Sequence, residues 1–178
     1  MGILTFLVGM LLILTSSYRK ERFLTFLDFS RDPLGASYHI RQVLLALGSG
    51  GLLGVGLGAS RQKYEYLPES MTDSIFANIA EEMGFIGAIL IIAAFLLVIW
   101  RGLKIAEQAP DSFGQLLATG ISALLGVQAL VNLASMVALV PLTGVPLTFI
   151  SYGGSSLVVS LAGVGILLNI SKYRVKKK

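Results

Sequence analysis

Long stretches without a single charged residue dominate the hydrophobic pattern of the chain. Four such stretches occupy residues 1–18, 42–60, 83–100 and 112–171. A bilayer crossing needs about 20 predominantly apolar residues. The pattern therefore predicts an integral membrane protein built from transmembrane helices, with no separate soluble domain.

The last uncharged stretch is too long for one crossing, and it contains residues that disfavour helix. Pro141, Pro146 and the pair Gly153 and Gly154 interrupt it. The predicted spans are about 2–17, 37–57, 83–100, 113–138 and 155–171, and the predicted outer loops are 58–82 and 139–155. The expected fold is an all-α polytopic membrane protein, a single domain over residues 1–178 with about five transmembrane helices and a re-entrant outer loop.

Basic clusters set the predicted orientation of these spans. They occur at 19–22, 101–104 and 172–178, and the positive-inside rule places all three in the cytoplasm together with the C-terminus. The N-terminal Met then lies outside without a translocation signal before it. We interpret this as a sign of a partial chain, and the alternative is an unusual protein with its N-terminus outside.

The second predicted span is rich in glycine, at positions 48, 50, 51, 54, 56 and 58. Such a run favours either close helix packing or local unwinding, and irregular backbone at membrane depth must be covered by protein or water. We expect this segment to line the interior.

Composition agrees with the membrane interpretation. The chain is 54% hydrophobic and 13% charged, with a mean hydropathy of +0.79, whereas soluble domains carry about 25% charged residues. The net charge of +4 does not indicate a nucleic-acid partner, because the basic residues flank apolar runs. The absence of cysteine excludes a disulfide-stapled fold and a cysteine nucleophile.

The segment 59–82 concentrates charge on the predicted outer face. It contains Glu65, Glu69, Asp73, Glu81 and Glu82, together with Arg61 and Lys63, the only two basic residues predicted outside. A plain polar loop fits this composition about equally well. Carboxylates near the membrane interface are costly unless they are paired, solvated or functional, which favours a site. Arg61 and Lys63 are expected either to bind phosphate or to form salt bridges with Glu65 or Glu69.

A helix is predicted to begin within this segment. Ser70 or Thr72 is the expected N-cap, so that the helix carries Asp73 and Glu81 into the next apolar run. Asp73 and Glu81 would then lie about 80° apart around the helix axis, with Glu82 on the opposite side. Asp73 and Glu81 are predicted to face one cavity.

The second outer element, residues 141–156, combines prolines, glycines and hydroxyl side chains in an apolar region. We expect it to dip into the protein and to wall the same cavity. The fourth span adds two polar sets at helical spacing, Gln115, Thr119 and Ser122, then Gln128, Asn132 and Ser135, for which interhelical hydrogen bonding is the favoured interpretation. His39 is the only histidine, so no His-based zinc site or Ser-His-Asp triad is expected, and its predicted place is the membrane interface.

Four ordered motifs carry a family resemblance. They are Gly54-x-Gly56-x-Gly58-x-Ser60-x-Gln62-Lys63; Tyr66-Leu67-Pro68-Glu69 with Thr72-Asp73, Ile75-Phe76-Ala77 and Glu81-Glu82-x-Gly84; Pro141-x-Thr143-Gly144-x-Pro146-Leu147; and Phe149-Ile150-Ser151-Tyr152-Gly153-Gly154-Ser155-Ser156. The chain resembles the shape, elongation, division and sporulation (SEDS) family of bacterial cell-wall polymerases, most closely its FtsW branch, with RodA and SpoVE as relatives. Because family members usually have ten spans, the resemblance implies that the chain corresponds to the C-terminal half.

The resemblance implies a membrane peptidoglycan glycosyltransferase that polymerises lipid II, with inversion at the donor sugar and undecaprenyl pyrophosphate as the leaving group. Asp73 matches the family's essential outer-loop aspartate, and the implied role is general base. Predicted substrate-binding residues are Arg61, Gln62, Lys63, Glu69, Thr72, Glu81, Ser151, Tyr152, Ser155 and Ser156, of which Arg61 and Lys63 are inferred from charge alone. Ser74 and Thr148 depart from the family pattern without removing a reactive group.

The implied partners are lipid II, undecaprenyl-linked glycan, a class B penicillin-binding protein transpeptidase, other division-complex membrane proteins and the lipid bilayer, with no nucleic acid. The implied location is the bacterial cell membrane, with the active loop outside the cytoplasm. No protein-bound metal is expected, although a divalent cation, Mg or Mn, is an alternative means of neutralising the pyrophosphate. Two other functions stay open, a lipid II flippase and a non-catalytic scaffold of the division complex.

Overall fold

Helices make up all the regular secondary structure in the part of the chain that the structure describes. The structure is a computed structural model, and it describes residues 36–60 and 72–173 together with Leu24 and Phe26. Its helices are α1 Ala36–Ser49, α2 Ile75–Glu107, α3 Ser112–Met136 and α4 Gly154–Lys172. The predicted all-α fold class is confirmed. The first predicted span, 2–17, lies outside the described residues.

Three of these helices, α2, α3 and α4, are long and apolar enough to cross a membrane. They expose many large apolar side chains, including Leu96, Leu97, Leu130, Val158 and Leu161. Such a surface suits hydrocarbon rather than water, so the chain is an integral membrane protein. The bounds of α3 and α4 lie close to the predicted spans, whereas α2 extends beyond 83–100 at both ends.

Glycine allows α2, α3 and α4 to pack closely at one end. A Cβ atom at Gly102 of α2 would overlap the Ser122 hydroxyl of α3 and would lie 3.7 Å from Leu167 of α4. Ala106, Ala118 and Leu167 form a buried apolar cluster at the same end. The absence of a side chain at Gly102 therefore lets α2 approach α3 closely at this end.

The glycine-rich segment after α1 is unwound and lies against a break in α2. α1 ends at Ser49, so the second predicted span is helical over only part of its length. Gly84 interrupts α2 with φ 68° and ψ −169°, a backbone conformation that is essentially restricted to glycine. Four backbone hydrogen bonds join the segment to the break: Val55 N to Glu81 O, Gly56 N to Glu82 O, Phe85 N to Gly51 O and Ile86 N to Leu52 O. The polar backbone groups freed by the break are thereby satisfied inside the protein.

Candidate active site

Asp73 lies in a turn that immediately precedes α2. Residues 72–74 form the turn, and the helix begins at Ile75 with Ser74 at the N-cap position. The predicted helix start at Ser70 or Thr72 is therefore wrong. The angular relation between Asp73 and Glu81 does not apply either, because it assumed one continuous helix through both residues.

Long-range hydrogen bonds explain why the helix does not start earlier. The turn receives three of them: Ser151 Oγ donates to Thr72 O at 2.5 Å, Asn132 Nδ2 donates to Asp73 O at 2.9 Å, and His39 Nε2 lies 2.6 Å from Ser74 Oγ. A helix starting at Thr72 would use the carbonyl groups of residues 72 and 73 for its own first turn. The partners come from α1, from α3 and from the loop before α4, so three separate elements fix the turn.

Asn132 ties the turn to the loop between α3 and α4. Its side chain is fully buried, and Nδ2 donates to Val145 O at 2.8 Å as well as to Asp73 O. Because both contacts are with carbonyl oxygens, the amide must present its NH₂ group to them. One buried amide thus sets the spacing between Asp73 and residues 144–146.

Four other polar side chains of α3 form hydrogen bonds with α3 itself or with the following loop in the part of the chain that the structure describes. Thr119, Ser122 and Ser135 each donate to a carbonyl of α3 itself. Gln128 accepts a hydrogen bond from Thr148 of the following loop at 3.1 Å. The three hydroxyl groups donate within α3 because a hydroxyl in a helix can reach the carbonyl three or four residues before it, and interhelical bonding by these side chains stays a prediction.

The carboxylate of Asp73 is largely enclosed. Asp73 is 5% exposed, and the Thr72 hydroxyl donates to Oδ1 at 3.1 Å. The second oxygen, Oδ2, lies 4.0 Å from the position that a Cβ atom would take at Gly144, where φ is +68°. Glycine at 144 therefore keeps the space beside Oδ2 free of a side chain.

Glu81 is buried on α2 and connects with the segment before the predicted basic pair. Ser60 Oγ donates to Glu81 Oε2 at 2.5 Å, and both residues are buried. Ser60 directly precedes Arg61 in the sequence. Glu81 thus holds Ser60 at the start of the predicted outer loop, and a cavity shared by Glu81 and Asp73 stays a prediction.

The loop 137–153 and the start of α4 supply the remaining described candidates. Ser151 accepts from Leu147 N at 2.7 Å while it donates to the Asp73 turn, and Tyr152 is 82% exposed. Ser155 and Ser156 line a groove of about 710 Å³ between α3 and α4. The groove is otherwise walled mainly by apolar side chains, among them Leu117, Ile121, Leu124, Val159 and Ile166. Pro146 also lines it, so the groove reaches the residue next to Val145.

Four predicted site residues, Arg61, Gln62, Lys63 and Glu69, lie outside the described residues. Within residues 36–60 and 72–173, no three His, Cys, Asp or Glu side chains come together as a metal site would require. Whether a divalent cation takes part therefore stays an open alternative.

Sequence reasoning missed two residues of this network. His39 was predicted at the membrane interface, and the structure instead places its ring against Ser74 beside Asp73. Asn132 was grouped with ordinary interhelical contacts. The available signal for Asn132 was a polar amide within an apolar span, because burying a polar side chain in a membrane costs free energy unless it is paired or functional.

Comparison with known proteins agrees with this architecture. The FtsW/RodA/SpoVE family model, described as a cell cycle protein, matches residues 1–176. The chain is 49% identical to stage V sporulation protein E of Bacillus subtilis (strain 168), over 91% of this chain and 44% of that protein. It is 51% identical to a probable peptidoglycan glycosyltransferase FtsW of Geobacter sp. (strain M18), over 90% of this chain and 44% of that protein.

A solved structure shares the fold. A chain from a study of the structural coordination of polymerization and crosslinking by a peptidoglycan synthase complex superposes with a TM-score of 0.71 at 28% identity. The superposition covers 99% of this chain and 50% of that one. The chain therefore spans about half the length of the proteins it matches.

Proposed function

The chain belongs to the FtsW/RodA/SpoVE family of cell cycle proteins, and from this membership we propose that it acts as a peptidoglycan glycosyltransferase that polymerises lipid II. The observation that carries the proposal is the Asp73 turn, which three separate elements hold by hydrogen bonds. A turn fixed in this way presents one carboxylate in a constant position, as a general base requires.

In the proposed reaction, the Asp73 carboxylate removes the proton from the 4-hydroxyl of the acceptor N-acetylglucosamine. The resulting oxygen attacks the anomeric carbon of the donor sugar, and the bond from that carbon to the pyrophosphate breaks. The electron pair leaves with undecaprenyl pyrophosphate, and the anomeric configuration inverts. A single displacement needs one base and no covalent intermediate with the enzyme.

We propose two roles for the predicted site residues, and their described contacts support the division. The hydroxyl of Ser151 donates to the backbone of the turn, so we assign Ser151 to positioning rather than to substrate contact. Glu81 is assigned to holding the outer loop through Ser60. Ser155 and Ser156, which border the groove between α3 and α4, are assigned to the substrate.

The groove between α3 and α4 is our proposed path for the lipid tail. Its apolar walls suit an isoprenoid chain, and Pro146 brings its rim to the loop that Asn132 ties to Asp73. We further propose that Arg61 and Lys63 neutralise the leaving pyrophosphate, because both are cations in the predicted outer loop. A pyrophosphate-associated Mg or Mn ion is the alternative.

We propose that the Asp73 end of the molecule faces outwards from the bacterial cell membrane, with the C-terminus in the cytoplasm. The proposed partner is a class B penicillin-binding protein transpeptidase, together with other membrane proteins of the division complex. Support comes from the superposed structure, which concerns polymerization and crosslinking by one complex. The basic clusters at the C-terminal ends of α2 and α4 support the orientation.

Replacement of Asp73 by asparagine tests the function. In Asp73→Asn the side chain keeps its shape and loses its basicity, so we expect lipid II polymerisation by the purified full-length protein to fall below detection. The matched control is Glu107→Gln, which neutralises an exposed carboxylate at the other end of α2. Glycan strands formed at the parental rate by Asp73→Asn would show that Asp73 is not the base. If the parental protein moves labelled lipid II across vesicles without polymerising it, the flippase alternative is correct, and if it does neither, the scaffold alternative is.

A further inference from the structure

A small basic pocket lies between the C-terminal ends of α2 and α4, at the opposite end of α2 from the Asp73 turn. Its volume is about 270 Å³, and its lining consists of Arg101, Lys104, Ile105, Gln108 and Ser171. The pocket contains two cations and no carboxylate. It therefore offers a concave surface of positive charge where two membrane helices end.

Trp100 restrains both cations. The guanidinium carbon of Arg101 lies 5.3 Å from the centre of the indole ring, and the ammonium nitrogen of Lys104 lies 4.1 Å from it. Such contacts hold a cation without neutralising it. Within the described residues, the contacts of Arg101 and Lys104 are with this ring, and no carboxylate pairs with either. Their full charge is thus available to an anion.

The surface becomes apolar within one helical turn of the pocket. Leu97 precedes Arg101 by one turn of α2 and is 57% exposed, and Leu168 precedes Ser171 by nearly one turn of α4 and is 59% exposed. A phospholipid has a matching arrangement, since its charged phosphate is followed by apolar acyl chains. A free phosphate ion has no group that would use the exposed leucines.

Two polar side chains beside the cations, Ser171 and Gln108, can form hydrogen bonds with the headgroup of a lipid. The Ser171 hydroxyl donates to Leu168 O at 2.7 Å, so its oxygen remains able to accept a hydrogen bond. The Gln108 amide can both donate and accept. These groups suit the hydroxyls of a polyhydroxyl headgroup such as glycerol.

We propose that this pocket binds the headgroup of an anionic phospholipid, with the phosphodiester between Arg101 and Lys104 and the acyl chains along Leu97 and Leu168. Basic pockets between membrane helices on the cytoplasmic side are suited to anionic lipids. The site is separate from the proposed glycosyl transfer, since it lies at the far end of α2 from Asp73. It rests on the proposed orientation of the chain in the membrane and does not depend on the proposed enzymatic activity.

Lipid retention tests the proposal without any measurement of catalysis. The full chain is purified, exchanged into detergent micelles that contain phosphatidylglycerol or phosphatidylcholine, and analysed by native mass spectrometry. We expect bound phosphatidylglycerol on the parental protein and a loss of affinity on the order of 10-fold in the double variant Arg101→Gln with Lys104→Gln. Phosphatidylcholine should bind weakly to both proteins.

Two further variants distinguish specific lipid binding in the pocket from nonspecific attraction of anionic lipid to basic residues. Lys172→Gln removes an exposed cation at the same end that does not line the pocket, so affinity should change by less than about twofold. The double variant Arg101→Lys with Lys104→Arg keeps both charges and should retain the lipid. This result would show that substitution at these two positions does not by itself abolish lipid binding through misfolding. An equal loss in Lys172→Gln, a charge-preserving variant that fails to bind, or displacement of the lipid by millimolar inorganic phosphate would each overturn the proposal.

Discussion

Asn132 is the residue whose removal should most clearly separate positioning from substrate contact. Its two amide hydrogens serve carbonyl oxygens of Asp73 and Val145. In Asn132→Leu both carbonyls lose their donor in a fully buried place, and the Asp73 turn is free to shift. A shift of about 1 Å can lower a rate on the order of 10²-fold, so we expect kcat for lipid II polymerisation to fall by that factor with little change in KM.

The control for Asn132→Leu is Ser135→Ala on the same helix. Ser135 is also buried, and its hydroxyl donates only to the backbone of α3. We expect its kcat to stay within about twofold of the parental value, because no contact with the site is lost. The assignment of Asn132 fails if Asn132→Leu folds and keeps the parental kcat.

The family resemblance implied a general-base role for Asp73, which stays a prediction, and the sequence did not reveal the contacts that hold this residue. The residues that hold it, His39 and Asn132, lie 35 and 59 positions from their partners in the turn. Helical periodicity describes one face of one helix and carries no information about which distant loop will meet that face.

At the scale of elements, the break in α2 depends on glycine at two facing positions. A Cβ atom at Gly84 would collide with the backbone nitrogen of Gly54, and φ at Gly84 is +68°. We expect Gly84→Ala to destabilise the protein by more than about 3 kcal/mol, from backbone strain together with the collision. The measurement is the thermal unfolding temperature of the purified protein in detergent, with Asp73-dependent polymerisation as a second readout.

Gly120→Ala is the matched substitution for Gly84→Ala. Gly120 lies within α3, and a Cβ atom there would meet nothing within 4 Å. Alanine is favoured over glycine in a helix by roughly 0.5–1 kcal/mol, so we expect a small rise in the unfolding temperature. Equal unfolding temperatures of the two variants would show that the contact between the break in α2 and residues 50–58 does not contribute to stability.

Helix ends were predictable where local signals set them and not where distant residues do. α3 begins after Asp111, whose carboxylate accepts from Gly114 N at 3.2 Å, and α4 ends at Lys172 before the basic tail. Both ends follow from the local sequence. The start of α2 follows instead from hydrogen bonds made by Asn132 and Ser151, which no local signal reveals.

For the whole molecule, the proposed orientation can be tested because the chain contains no cysteine. Tyr152→Cys and Tyr173→Cys each introduce a single thiol into this chain at an exposed position near opposite ends of α4, and the parental protein serves as the unlabelled reference. We expect a membrane-impermeant maleimide to label Tyr152→Cys in intact cells with an opened outer envelope, and to label Tyr173→Cys only after the inner membrane is permeabilised. The reverse labelling pattern would show that the topology is inverted and that Asp73 lies on the cytoplasmic side.

The hydrogen bond from Ser151 to Thr72 spans 79 positions of the chain. During synthesis, the ribosome must therefore complete at least residue 151 before the Asp73 turn can acquire its final partner. A nascent or prematurely terminated chain would carry the aspartate yet lack the groups that fix it. Assembly of the Asp73 turn is thereby deferred until α3 is complete and the loop that leads into α4 has been made.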